Sequence, residues 1–262
     1  MTKTVLIPAA GAGSRFTKAG IHTPKPLIHV AGQTLLEHTL DCFPLEADDN
    51  LVIAAQRRHQ VRQVLAHSLH KRCSELNVHW VELDELLPGQ LATAKAAMET
   101  SQVDPSLPLW IHNCDTGFRW NESLNAINGF ASMPVFEADG DHWSFGCPDP
   151  EDPTRAIAIA EKRRISNLAS IGLYGFTSIE AFLKHAHSQL QQDKTVGGEH
   201  YIAPMLHQAI STGERVCLPR VDGVKLYGTP AELCLEFNIS LDQLRDLNKT
   251  SASISPSTKH CN

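Results

Sequence analysis

The chain has 262 residues, of which 42% are hydrophobic and 20% charged, and its formal net charge is −6. This balance is typical of an ordinary globular protein and excludes the basic surface that general nucleic-acid binding requires. No apolar run approaches the roughly 20 residues needed to span a bilayer, so we expect no membrane segment. The seven cysteines are scattered without a C-x-x-C pair, so we expect reduced thiols and a cytoplasmic protein.

Short apolar runs alternate with helical patterns in the first half of the chain. The predicted strands span residues 4–8, 51–55, 78–83 and 108–113, and the predicted helices span residues 34–43, 59–70 and 91–99. Repeated strand–helix alternation is typical of parallel sheets with crossover helices. We therefore predict an α/β fold, a mostly parallel twisted sheet of Rossmann-like type with helices on both faces.

The pattern changes after about residue 130. Strand-like runs separated only by turns span residues 133–137, 143–146, 156–161 and 171–176. They are followed by predicted helices at 178–191 and about 199–211, short strands at 215–219 and 224–227, and a helix that begins at Pro230. These features predict a mixed or antiparallel extension of the sheet within one domain of residues 1–247. Residues 248–262 are polar, and we predict a flexible tail there.

A glycine-containing loop directly follows the first predicted strand. It reads Pro8-Ala9-Ala10-Gly11-Ala12-Gly13-Ser14-Arg15-Phe16. Small residues let backbone N–H groups approach a phosphate chain, and Arg15 adds a charged fork for phosphate oxygens. A Rossmann fingerprint would need glycine in place of Phe16, and a Walker A loop would need Gly-Lys-Ser/Thr. The alternative interpretation is a plain turn between a strand and a helix.

A lysine between two prolines follows a few residues later. Pro24 and Pro26 restrict the backbone around Lys25. A lysine held in this way after a glycine loop is suited to place its ammonium group against a triphosphate. The alternative is a solvated lysine in a proline-rich loop, but the neighbouring glycine loop favours phosphate binding.

Two further signals lie at the ends of predicted strands. Asp115 follows the apolar run 109–114, and ligands of open α/β sheets bind beyond the carboxyl ends of the strands. A lone aspartate there suits one Mg²⁺ ion shared with phosphate oxygens, or else an Asx turn. The cationic cluster Lys162-Arg163-Arg164 follows the run 156–161 and suits an anionic acceptor, or else a solvated turn.

These four elements, in this order, resemble the nucleotidyltransferase family of sugar-1-phosphate-activating enzymes. Members of that family carry a G-x-G-x-R loop, a P-K-P-L/M segment, a metal-binding aspartate at a strand end and an E-K pair near a later strand. Weaker matches lie at residues 88–94, 198–201 and 228–233. The resemblance spans residues 4–238 and points to the branch found in bacterial surface or capsular polysaccharide gene clusters.

The resemblance also implies roles for individual residues. Arg15 and Lys25 would be catalytic, and Asp115 would hold the metal. The nucleotide would be bound by Ala9, Ala10, Gly11, Ala12, Gly13 and Gly89. The acceptor would be bound by Lys162, Glu161, Gly172 and Glu199. The nucleotide-binding half would span about residues 1–130 and the acceptor-binding half about residues 131–240.

The activity that the resemblance implies is Mg²⁺-dependent nucleotidyl transfer. An NTP (CTP, UTP, dTTP or GTP) would donate its NMP group to a phosphorylated small molecule such as a sugar 1-phosphate, with release of pyrophosphate. The product would serve surface polysaccharide biosynthesis. We expect neither nucleic acid nor membrane as a partner, and the family is compatible with a homo-oligomer.

One position departs from the family pattern. Many sugar enzymes of this family carry a second metal-binding aspartate two residues before the final G-T, where this chain has Leu226. Either another residue such as Asp222 contributes, or phosphate oxygens mainly hold a second Mg²⁺ ion. A cytidylyltransferase that acts on a non-sugar, phosphocholine-like compound therefore remains an alternative.

Two other classes of protein remain. A nucleotide-sugar-dependent glycosyltransferase would use an Asp-x-Asp metal motif, and Asp139 and Asp141 have that spacing. Because Asp-Gly between two strand-like runs is a common hairpin turn, we favour the turn for residues 139–141. A non-catalytic sensor of nucleotide sugars would not need the full set of charged residues.

Overall fold

A computed structural model describes residues 2–72 and 76–249, except for the side chain of Arg72. These residues form fifteen β-strands and eight α-helices. The strands are β1 (Thr4–Pro8), β2 (His29–Val30), β3 (Gln33–Thr34), β4 (Asn50–Gln56), β5 (Asn77–Leu83), β6 (Leu109–His112), β7 (Thr116–Arg119), β8 (Ala131–Ser132), β9 (Val135–Glu137), β10 (Ser144–Pro148), β11 (Ala156–Glu161), β12 (Leu168–Ser170), β13 (Leu173–Phe176), β14 (Val216–Cys217) and β15 (Asp222–Leu226). The helices are α1 (Ser14–Lys18), α2 (Leu35–Leu40), α3 (Val61–Arg72), α4 (Gln90–Ser101), α5 (Ile179–Gln191), α6 (Ile202–Ser211), α7 (Pro230–Glu236) and α8 (Leu241–Leu247). Within the described ranges, no helix has both the length and the apolar character to cross a membrane.

A seven-stranded sheet in the order β14-β8-β13-β6-β1-β4-β5 forms the centre of the fold. Strands β6, β1, β4 and β5 run parallel to one another, and β13 is antiparallel to both β6 and β8. Because β1 and β6 are adjacent and parallel, the loops at their carboxyl ends lie side by side. The predicted α/β fold with a mostly parallel sheet is therefore confirmed.

Helices cover both faces of this sheet because consecutive side chains of a strand point to opposite faces. Leu6 of β1 packs in one core with Leu91 and Ala94 of α4. Ile7, the next residue, packs in a second core with Leu65 of α3. All five side chains are almost completely buried.

Of the runs that predict an antiparallel extension, 171–176 contains β13 of the central sheet, whereas the other three form strands of a separate four-stranded sheet in the order β11-β10-β12-β9. Strand β12 lies between β9 and β10, so residues 139–141 do not close a hairpin between these two strands. The predicted hairpin turn is therefore wrong, although Gly140 has the positive φ of 85° expected of a turn glycine. The segment instead crosses from one side of β12 to the other.

The C-terminal helices pack against the segment that contains the predicted phosphate-binding lysine. Phe16 and Ile28 share a third core with Leu233 of α7 and Leu244 of α8. Asn248, the first residue of the predicted tail, is buried. Its side-chain oxygen accepts a hydrogen bond from the His29 N–H, and its side-chain nitrogen donates one to the His29 carbonyl. The folded part therefore extends beyond residue 247, and residues 250–262 of the predicted tail lie outside the described residues.

Replacement of Asn248 tests this anchor. Asn248→Ala removes hydrogen bonds to the backbone of His29 and Leu244, with distances of 2.8–3.1 Å. Loss of buried hydrogen bonds of this kind should lower the free energy of unfolding by about 1–3 kcal/mol, measured by urea denaturation. Asn77→Ala, at an exposed position of β5, is the matched control and should change it by less than about 0.5 kcal/mol. Equal stability of the two variants would contradict the anchoring role.

Candidate active site

A cavity of about 710 Å³ opens at the carboxyl edge of β1 and β6. One side is formed by the loop after β1, the segment before α4 and the residues that follow β6. The other side is formed by residues of β10 and β13, by the loop after β12 and by residues around 198–201. Residues from before and after position 130 therefore line the same cavity.

The glycine loop is anchored at its start and open at its centre. The Ala9 N–H donates to Ala54 O at 2.7 Å, and Gln56 Nε2 donates to Ala10 O at 2.5 Å. Gly13 has φ 63° and precedes the first turn of α1. Ala9, Gly11, Ala12 and Gly13 line the cavity. Ala10 is buried and is not among the residues that line the cavity, and its carbonyl accepts the hydrogen bond that attaches the loop to β4.

Lys25 and Asp115 form an ion pair at the centre of the cavity. Lys25 Nζ donates to Asp115 Oδ2 at 2.8 Å, and the side chains are 17% and 28% exposed. Burial alone would raise the pKa of Asp115, but the charge and the hydrogen bond of Lys25 outweigh it and hold this pKa below its usual value. Asp115 is therefore ionised at neutral pH.

Arg15 approaches the same place from α1. A Cβ atom placed on Gly228 would lie 3.1 Å from Glu232 Oε2, 3.9 Å from Arg15 Nη1 and 4.0 Å from Asp115 Oδ2. The three charged groups therefore converge around Gly228, which can approach them because it has no side chain. Arg15, Lys25 and Asp115 all line the cavity, as the predicted site requires.

The oxygen donors of this cluster suit a hard cation such as Mg²⁺, which commonly takes one or two carboxylates together with phosphate oxygens and water. Among residues 2–72 and 76–249, no group of three or more His, Cys, Asp or Glu side chains is arranged to hold a metal. Asp115 would thus need ligand oxygens to complete a coordination sphere. Leu226 lines the cavity, whereas Asp222 is exposed and lies 3.5 Å from Arg119 on the ribbon of β7 and β15. Asp222 is therefore not placed to replace the missing aspartate.

Gly89 attaches the nucleotide side of the cavity to the opposite wall. Its φ is 101°, and a Cβ atom at this position would lie 2.6 Å from both the backbone N and O of His200. Two hydrogen bonds flank the close approach, from His200 N to Pro88 O and from Leu91 N to His200 O, each 2.9 Å long. Glycine is therefore required here by backbone contact as well as by conformation.

The predicted acceptor residues lie together at the far end of the cavity. Glu161, Gly172 and Glu199 line it, whereas Lys162 is exposed at its rim. Burial raises the pKa of Glu161, and a hydrogen bond from Ser144 opposes part of this effect. Burial likewise raises the pKa of Tyr174, which also lines this end, to about 12.

Several cavity residues are absent from the predicted set. Gln90 Nε2 donates to Asn113 Oδ1 at 2.7 Å, and the Asn113 side chain lies against Gly172. Glu232 and Tyr201 lie within motifs that the sequence matches weakly, at 228–233 and 198–201, so those matches could have indicated them. Gln90 likewise lies within the weak match at 88–94, whereas no local pattern marks Asn113, because its contacts with Gln90 and Gly172 join residues far apart in the chain.

Comparisons with known proteins agree with this fold. Residues 5–127 match the family of the MobA-like NTP transferase domain. The nucleoside-diphosphate-sugar pyrophosphorylase from Vibrio cholerae RC9 is 28% identical, with a TM-score of 0.80 over 89% of this chain and 99% of that one. The inositol-1-phosphate CTP transferase from T. maritima is 15% identical, with a TM-score of 0.68 over 96% and 97% of the two chains.

A short segment also matches curated enzymes. It is 55% identical over 38 residues to 2-C-methyl-D-erythritol 4-phosphate cytidylyltransferase from Pseudomonas putida. This match covers 14% of this chain and 15% of that enzyme, so it concerns a small part of each protein. Together, the comparisons support the prediction that this chain is a nucleotidyltransferase enzyme.

Substitution of Gly89 tests the backbone contact between the two walls. Gly89→Ala should destabilise the protein because its Cβ meets the His200 backbone at 2.6 Å. Gly213→Ala is a control for a positive φ without a close contact, since Gly213 has φ 96° and no neighbour within 4 Å of the added atom, whereas Gly89 combines the contact with an extended ψ of 179°. We expect Gly213→Ala to lower the free energy of unfolding by about 1 kcal/mol. The loss for Gly89→Ala should be larger by about 1–3 kcal/mol, measured by urea denaturation. Similar losses in the two variants would contradict the contact.

Proposed function

We propose that this protein is a Mg²⁺-dependent nucleotidyltransferase. It would transfer an NMP group from an NTP to a phosphorylated small acceptor and release pyrophosphate. The observation that carries the proposal is the Lys25–Asp115 pair beside the glycine loop, in a cavity that continues to the residues around Glu161. One end of this cavity offers cations and N–H groups for phosphates, and the other offers side chains for a polar acceptor.

The proposed reaction is an in-line displacement at phosphorus. An oxygen of the acceptor's phosphate forms a bond to the α-phosphorus of the NTP, while the bond from that phosphorus to the bridging oxygen of pyrophosphate breaks. Negative charge grows on the departing pyrophosphate, where Arg15 and Lys25 would stabilise it. The backbone of residues 9–13 would orient the phosphates, so most of the catalysis would come from positioning and electrostatics.

Asp115 would hold the Mg²⁺ ion against the phosphate oxygens, and the Glu232 carboxylate also lies beside Gly228. The ion would neutralise phosphate charge when bound. Lys25 and a divalent cation both attract the Asp115 carboxylate, so Lys25 would turn toward the triphosphate as the cation binds.

The acceptor end favours a polar molecule that carries hydroxyl groups. Two carboxylates, Glu161 and Glu199, line this end and can accept hydrogen bonds from hydroxyls. A sugar 1-phosphate fits this chemistry, and the similarity to the V. cholerae nucleoside-diphosphate-sugar pyrophosphorylase supports it. The setting we propose is the cytoplasmic synthesis of nucleotide sugars for surface polysaccharides, on the basis of the sequence resemblance.

A cytidylyltransferase that acts on a non-sugar phospho-compound is the second candidate. The inositol-1-phosphate CTP transferase and the erythritol phosphate cytidylyltransferase support CTP as the nucleotide. The glycosyltransferase alternative has less support, because Asp139 and Asp141 are not among the residues that line the cavity.

Pyrophosphate release tests the proposal and separates the candidates. The protein is incubated with Mg²⁺ and each of CTP, UTP, GTP, ATP and dTTP, against a panel of sugar 1-phosphates, inositol 1-phosphate and phosphocholine. We expect release with one NTP and one acceptor, which identifies both substrates. Transfer from a nucleotide sugar without pyrophosphate release would instead identify a glycosyltransferase.

Neutralisation of either proposed catalytic cation should reduce turnover. Arg15→Ala and Lys25→Ala should each lower kcat by about 10²–10³-fold, because each removes a positive charge that would stabilise the departing pyrophosphate. Lys18→Ala is the matched control, since Lys18 is an exposed cation on α1 that does not line the cavity. A kcat near the wild-type value in Arg15→Ala or Lys25→Ala would remove that residue from the proposed mechanism.

Removal of the Asp115 charge should weaken the response to the metal. Asp115→Asn keeps the size of the side chain but lacks the carboxylate that would hold Mg²⁺. We expect the Mg²⁺ concentration for half-maximal rate to rise by at least about tenfold, measured at saturating NTP. An unchanged Mg²⁺ dependence would exclude Asp115 as the metal ligand.

A further inference from the structure

Tyr201 links two charged residues at the acceptor end of the cavity. Lys162 Nζ donates a hydrogen bond to the Tyr201 hydroxyl, which in turn donates to Glu199 Oε2. The ammonium group lies 4.3 Å from the centre of the Tyr201 ring, a distance that this hydrogen bond itself imposes, so the hydroxyl is the point of contact with Lys162.

The backbone of Lys162 is held in a conformation that lysine rarely adopts. Its φ is 51°, in the left-handed region, and its N–H donates to Trp143 O at 2.9 Å. A non-glycine residue stays in this region only when its surroundings stabilise it, and such residues concentrate at functional sites. The constraint fixes where the long side chain leaves the end of β11 but leaves its terminal group free to rotate.

Tyr201, in contrast, belongs to a segment with little freedom. Its neighbour His200 is buried and hydrogen-bonded to Pro88 and Leu91 across the cavity. Tyr201 itself directly precedes α6. The backbone hydrogen bonds of His200 and the start of α6 therefore fix the position of the Tyr201 ring relative to the cavity.

We propose that Tyr201 is a positioning residue that holds the Lys162 ammonium group toward the acceptor's phosphate. The inference rests on the proposed function, in which Lys162 binds that phosphate. An ammonium group has three N–H donors, and Tyr201 takes one of them. Because the phenol lies between Lys162 and Glu199, the carboxylate orients the cation without directly occupying its other donors.

A double-mutant cycle tests whether Tyr201 acts through Lys162. Tyr201→Phe keeps the ring but removes the hydroxyl, and Lys162→Met keeps the chain length but removes the charge. With the substrates identified by the pyrophosphate assay, Tyr201→Phe should raise the KM for the acceptor by about tenfold, with the KM for the NTP and kcat within about twofold. In the Lys162→Met background, Tyr201→Phe should change the acceptor KM by less than about twofold. Equal effects in both backgrounds, or an equal rise in the KM for the NTP, would overturn the proposal.

A second measurement needs no substrate. Reductive methylation with formaldehyde and a borane reductant is followed at each lysine by peptide mass spectrometry, with the exposed Lys184 of α5 as the internal reference. Loss of the Tyr201 hydroxyl should speed methylation of Lys162 at least about threefold relative to Lys184, because the amine loses its hydrogen-bond partner. An unchanged ratio would show that Tyr201 does not hold Lys162. If no NTP and acceptor react, the proposed function fails, and this ratio alone decides whether Tyr201 positions the lysine.

Discussion

The ion pair between Lys25 and Asp115 is the contact on which the geometry of the site depends. It joins residues 90 positions apart in the chain and brings the lysine loop over the end of β6. Without Lys25, the partly buried Asp115 carboxylate would be poorly solvated, and without Asp115, Lys25 would lack its ionic partner. A triphosphate and a divalent cation would bring complementary charges for each of the two groups. The pair thus holds the unliganded site together with the same groups that the proposed substrates would use.

The position of Lys25 depends in turn on the C-terminal end of the described chain. Arg245 Nε donates to Ala19 O at 2.8 Å, and the Thr23 hydroxyl donates to Asn248 O at 3.0 Å. These contacts lie on the segment between the glycine loop and Lys25, so α8 and Asn248 support the part of the chain that carries Lys25. Pro24 and Pro26 restrict the backbone next to Lys25, but they do not attach this segment to the rest of the protein, as the contacts of Arg245 and Asn248 do.

The sequence predicts regular elements well and contacts between distant segments poorly. Strands β1, β4 and β6 are predictable because continuous apolar runs mark strands buried on both faces. Helix α8 is too short for its period to be evident, and the crossing of residues 139–141 depends on the insertion of β12, which no local pattern records. Most of the predicted site residues line the cavity because they follow strand ends in a loop with a distinctive composition. The weak match at 198–201 includes Tyr201 but does not reveal its hydrogen bond with Lys162, because the two residues are 39 positions apart in the chain.

The chemical character of the site also argues for direct transfer between substrates. Cys114 is adjacent to Asp115, but burial raises the pKa of its thiol to about 11, and a thiol that stays protonated is a poor nucleophile. His112 is buried, its ring contacts the Thr116 and Gly172 carbonyls, and burial lowers its pKa, so its role is in packing. The cavity also presents cations, carboxylates and backbone N–H groups, which are suited to bind and orient phosphates. An enzyme built from such groups gains its rate from the precision with which both substrates are held. The backbone contact between Gly89 and His200 sets the distance between the segment before α4 and the segment that carries Tyr201, and under the proposed function it would fix how the two substrates face each other.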